Sequence, residues 1–204
     1  MTQTTIAIAP NITAYFEQVI TDAIRAHHVD ATDAAARYLV DLLAEYAHPD
    51  EEAGSTFNRP LTFVLHDALQ TIGAERFRKL RQLGDHALYA LGFFGGHMEQ
   101  KGVDQTYVAR VGSTAYTHAA SMMRPRARRE PQGREDVLSE LASKFDRFTV
   151  VLRDVAEGTL AAGAQDDRTV VRLYERWLKS GSSRLAEELG ARGIIPTRGS
   201  GGCN

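Results

Sequence analysis

The chain has 204 residues, 43% hydrophobic and 25% charged, a composition that excludes wholesale disorder or a collagen-like chain and suits one sizeable core. Its 24 basic and 26 acidic side chains leave a formal charge of −2, so no whole-molecule field steers it to nucleic acid or acidic lipid. The single cysteine, Cys203, excludes an intramolecular disulfide and a zinc site built on paired thiolates.

Met1 to Pro10 carries no positive charge and too short an apolar run for a signal peptide, and Thr4 to Ala9 is the only segment that reads as a strand. The first helix follows: Ile12, Tyr15, Phe16, Val19, Ile20, Ala23 and Ile24 recur at the three-and-four spacing of one apolar stripe. Thr32 suits the N-cap of a second helix, carried by Ala35, Leu39, Leu42, Leu43 and Tyr46 to a stop at His48-Pro49. An acidic loop then leads to Pro60, a good first position for a third helix, for which Gly73 is the expected C-cap.

A fourth helix is expected from about Ala74 to Phe94, and Asp104 caps a fifth that ends near Arg124-Pro125. Val137, Leu138, Leu141, Phe145, Phe148, Leu152 and Val155 define one long sixth helix, closed by Gly158 or Gly163. Asp166 or Asp167 caps a seventh, and Ser182 or Ser183 starts a short eighth. The fold class expected is all-α: a single-domain bundle of seven to eight helices over residues 1–196 with no sheet, followed by a disordered Gly/Ser-rich tail over 197–204. No stretch reaches the roughly 18 apolar residues of a membrane span, and the expected compartment is the cytoplasm.

The fourth and fifth helices are unusual. Gly84, Gly92 and Gly112 sit inside them although each interior glycine costs a helix about 1 kcal/mol relative to alanine, so close packing or close approach of a flat ligand is expected there. On another side of the fourth helix, Asp85, Tyr89 and Phe93 follow at four-residue steps, which suggests a helix shared between the core and an interface.

Several constellations bear on chemistry. Glu45 and His48 form one Glu-x-x-His pair, but a carboxylate-bridged dinuclear site needs two, and no second exists. His66, Asp67, Asp85, His86 and His118 are the residue types of a mononuclear metal site, though scattered histidines are more often solvated. Arg81-Gln82-Leu83-Gly84-Asp85-His86 has the Arg-x(4)-His spacing, and in this it resembles the helical HEPN-type ribonucleases. That resemblance implies a histidine acid/base at His86 and a phosphate-binding Arg81. The polar residue that often follows the family's arginine is here only Gln82, and the two side chains lie about 140° apart on a helix. Arg124, Arg126, Arg128, Arg129 and Arg134 form a basic connection able to meet phosphates, nucleic acid or an acidic partner. No Walker loop or Gly-x-Ser-x-Gly elbow is present.

The leading functional expectation is a non-enzymatic interaction or regulatory protein, homodimeric through the fourth and fifth helices. The alternative is a sensor holding a small or planar ligand such as a tetrapyrrole between those helices, with His86, Tyr89, Tyr107, Tyr116 and His118 as contacts. A HEPN-like ribonuclease or a mononuclear metal enzyme is the third. No particular cofactor is implied.

Overall fold

A computed structural model describes residues 9–47, 59–123, 136–163 and 167–197. The described residues are helical, without strand: α1 Ala9–Ala26, α2 Asp33–Tyr46, α3 Leu61–Gln70, α4 Gly73–Gln100, α5 Gln105–Met123, α6 Val137–Ser143, α7 Phe145–Gly163, α8 Asp167–Ser180 and α9 Ser183–Ala191. None of these helices is long and apolar enough to cross a membrane. The segment Thr4 to Ala9 read as a strand lies outside the described residues, save that Ala9 already opens α1.

Nine helices stand among the described residues where seven to eight were expected, because the stripe from Val137 to Val155 is two helices. Lys144 leaves helical geometry (φ −109°, ψ 23°), yet its N–H still donates to the Glu140 carbonyl at 2.9 Å and its own carbonyl accepts from Phe148 at 3.0 Å. The break therefore lasts one residue, and the apolar stripe stays in phase across it. This is why periodicity alone does not reveal it.

Helix ends follow local chemistry. Thr32 caps α2, its hydroxyl accepting from the Ala35 amide at 3.2 Å, and Ser182 does the same for α9 through Leu185 at 3.3 Å. Gly73 is not the cap of α3: that helix stops at Gln70, where the Thr71 amide and hydroxyl both donate to the Ala68 carbonyl, and Gly73, at φ +61°, opens α4. Nor does α4 end near Phe94 as expected; it runs on to Gln100. Gly102, at φ +72°, ends it, with Gly102 donating to Glu99 and Val103 to Met98 in the paired pattern of a left-handed glycine stop.

The chain divides into two compact units, Met1–Leu152 and Arg153–Asn204, with the boundary inside α7. In the first, α4 packs most extensively on α5, α5 on α6, α1 on α2, and α3 on α4. Leu39, Leu43, Leu80, Leu88, Leu91, Tyr116, Leu141 and Phe148 are fully buried there. In the second, Ala161, Leu173, Trp177, Leu185 and Leu189 form the core, with Val170, Tyr174, Ala186 and Ile194 against it. An ion pair of 2.7 Å joins Arg184 to Asp154, and the Arg184 guanidinium lies where a Cβ on Gly158 would be.

Candidate functional site

The chemistry-bearing residues of the first unit gather around α4. Asp85 sits in the middle of that helix with 5% of its surface exposed. Tyr38 of α2 donates its hydroxyl to Asp85 Oδ1 at 2.5 Å, and Tyr116 of α5 donates to the same oxygen at 2.8 Å. Arg81, one turn earlier on α4, places Nε 3.5 Å from the other oxygen. Burial pushes the Asp85 carboxyl up to about 6, against the pull of both hydroxyls and of Arg81. Burial, and then the Asp85 charge, push both phenols well above their ordinary value, so they stay protonated donors. The cluster thus ties three helices together around one carboxyl that can hold or release a proton near pH 6.

The glycines explain how these rings fit. A Cβ at Gly84 would lie 2.5 Å from two carbons of the Tyr116 ring, and one at Gly112 would lie 2.6 Å from Phe145 Cζ and 2.7 Å from the Ala87 Cβ. Close packing is what these two positions serve. The room that a flat ligand would need over them is filled by the chain's own aromatic rings.

On a neighbouring side of α4 an aromatic ladder emerges. Tyr46 of α2 stacks on Tyr89 with ring centroids 4.2 Å apart, and Tyr89 stacks on Phe93 at 4.7 Å. His86 meets Tyr46 edge-on at 5.6 Å, and Phe94 meets Tyr89 edge-on at 5.8 Å. Tyr46, His86, Tyr89 and Phe93 are half-buried, while Phe94 is 51% exposed. Burial lowers the His86 imidazole, whose ring also hydrogen-bonds the Gln82 backbone.

The residues singled out in the sequence therefore separate. Asp85 and Tyr116 come together in the buried cluster; His86, Tyr89 and Phe93 share the ladder. Tyr107 stands apart, its hydroxyl accepting from the Thr62 amide at 2.9 Å and so closing the first turn of α3. His118 is half-buried on α5 two residues from Tyr116, a spacing that turns it about 200° away from the cluster. Arg81 is engaged with Asp85, not aligned with His86 by any described contact. His48 and the arginines 124, 126, 128, 129 and 134 lie outside the described residues. Among the described residues no group of three or more His, Cys, Asp or Glu side chains could hold a metal ion.

Two participants escape sequence reading. Tyr38 lies 47 residues from Asp85, and its only local signal is a tyrosine beside the α2 stripe. Glu140, 1% exposed on α6, accepts from the Thr32 amide at 2.9 Å and from the Thr32 hydroxyl at 2.5 Å across 108 residues. Lys144 adds a bond to Glu140 at 3.1 Å and another to the Asp30 carbonyl. Burial raises the Glu140 carboxyl, but the Thr32 and Lys144 bonds outweigh it and leave the group below its ordinary value.

No family model matches the chain, and no curated protein or solved structure was found to match it.

Proposed function

We propose that the chain is a non-enzymatic helical interaction or regulatory protein that pairs with a second copy of itself through the aromatic side of α4. The ladder of Tyr46, Tyr89 and Phe93, with Phe94 51% exposed at its edge, is the observation that carries this reading. Aromatic residues are the types enriched in interface cores, and a two-fold contact requires a patch that complements itself. An uncharged ring surface meets that condition, whereas a patch of one charge sign repels its own copy. The α4 and α5 glycines support the reading indirectly, because they let Tyr116 and Phe145 pack closely on the core side of these helices and leave the ladder on another side of α4.

Light scattering after size-exclusion chromatography tests the proposal. A dimer at micromolar concentration that Phe94→Asp turns into a folded monomer is expected. A wild-type chain that stays monomeric at every concentration, or a dimer indifferent to Phe94→Asp, overturns it.

A further inference from the structure

On the α3 side of α4 lies a groove of about 260 Å3, lined by both helices and by Arg59, two residues before α3. Lys79, Gln82, Leu83 and His86 line it from α4, at the three, four and seven spacing that puts them on one helix face. Val64 and Ala68 face them from α3 with Asp67. The groove is thus apolar along Val64, Ala68 and Leu83, and carries around them two cations, an amide, an imidazole and the Asp67 carboxylate, whose charge Arg59 offsets, so its lining keeps a net positive charge.

Both cations are held only loosely. Arg59 pairs with Asp67 at 3.2 Å with side chains 63% and 53% exposed, and Lys79 pairs with Glu75 at 3.0 Å with side chains 44% and 57% exposed. Exposed pairs of this kind contribute little, so an anion carrying more than one charge can draw both cations to itself. His86 completes the set. Its ring is bonded to the Gln82 backbone and is held below its ordinary range by burial, which leaves it neutral at pH 7 with a second nitrogen able to accept a hydrogen bond.

We infer that this groove binds a small phosphate ester, with Arg59 and Lys79 on the phosphoryl oxygens and His86 accepting from a hydroxyl of the esterified part. A guanidinium and an ammonium approaching from two sides match the several oxygens of a dianion better than a single carboxylate. The volume lies below the roughly 300–1,000 Å3 of sites for drug-sized ligands, so the ester is small. The inference goes beyond the aromatic face, which adjoins the groove only where His86 meets Tyr46.

Calorimetric titration of the full chain with ribose 5-phosphate and with inorganic phosphate tests it. The ester binds saturably and more tightly than phosphate. Arg59→Gln and Lys79→Met each weaken both ligands about tenfold, the scale of a lost charge-assisted hydrogen bond. His86→Phe weakens the ester alone, and Arg78→Gln, a charge loss outside the groove lining, changes neither. The inference falls if neither anion saturates, if phosphate binds as tightly as the ester, or if Arg78→Gln weakens binding as much as Lys79→Met. Preference for a single-stranded RNA oligonucleotide over both probes overturns it as well.

Discussion

Tyr116 meets the same helix with both ends: its ring covers Gly84, where a Cβ would lie 2.5 Å away, and its hydroxyl donates to Asp85, the next residue, at 2.8 Å. Close packing at Gly84 and one of the hydrogen bonds to Asp85 are therefore coupled through a single side chain from α5. A variant that disturbs one disturbs the other.

The Asp85 carboxyl titrates near 6 in the fold against an ordinary 3.8. The unfolded chain loses this proton first, so the residue's contribution to stability is complete below about pH 4 and declines as pH rises through 6. The loss amounts to about 3 kcal/mol. Asp85→Asn keeps an oxygen for the two phenols and removes the titration. Urea unfolding at pH 4 and pH 7.5 should show the variant gaining on wild type at the higher pH, and a constant difference would count against the assignment.

Glu140 acts in the opposite sense. Its carboxyl is held below its ordinary value, so the stability it contributes is present at neutral pH and is lost as pH falls through the folded-state value. Glu140→Gln should cost about 1–3 kcal/mol at pH 7 and progressively less in acid. Paired with Thr32→Ala in a double-mutant cycle, it should show a coupling of about 0.5–3 kcal/mol; additivity would mean the two residues do not act together.

Glycine substitutions on α4 and α5 should split by location. Gly84→Ala and Gly112→Ala drive a methyl into Tyr116 or Phe145 and should destabilise by about 1–3 kcal/mol, despite alanine's better helix propensity. At Gly96, exposed and with nothing within 4 Å of an added Cβ, alanine should stabilise by up to about 1 kcal/mol. Thermal melts of the three variants decide it.

In the second unit, Gly158→Ala should displace the Arg184 guanidinium from its 2.7 Å contact with Asp154. The chain has one tryptophan, Trp177, and it lies in this unit's core at 7% exposure. Its fluorescence should therefore report an earlier denaturant midpoint in Gly158→Ala. An unmoved midpoint would mean that Arg184 finds an equivalent position.

Local signals were readable in the sequence. Thr32, Asp104 and Ser182 cap where their side chains say they should, since a cap is decided within three residues. The break at Lys144 was not, because the stripe through Leu141, Phe145 and Phe148 passes across it in register. Asp85 is legible as unusual, on the side of α4 that the sequence suggests is shared between core and interface; its burial under two donors, Tyr38 and Tyr116 at separations of 47 and 31 residues, is not legible. Spacing along one helix cannot report what other helices bring to it.

The 108 residues between Thr32 and Glu140 also set an order of events on the ribosome. At roughly 5–20 residues per second, α2 leaves the exit tunnel on the order of ten seconds before Glu140 has been made. During that interval Thr32 has only its own α2 amide to bond, and Asp85, once synthesised, waits for Tyr116 as well. The polar contacts of α2 and α4 are thus completed only by α5 and α6, so neither of the earlier helices can reach its final packing until both of those have been made.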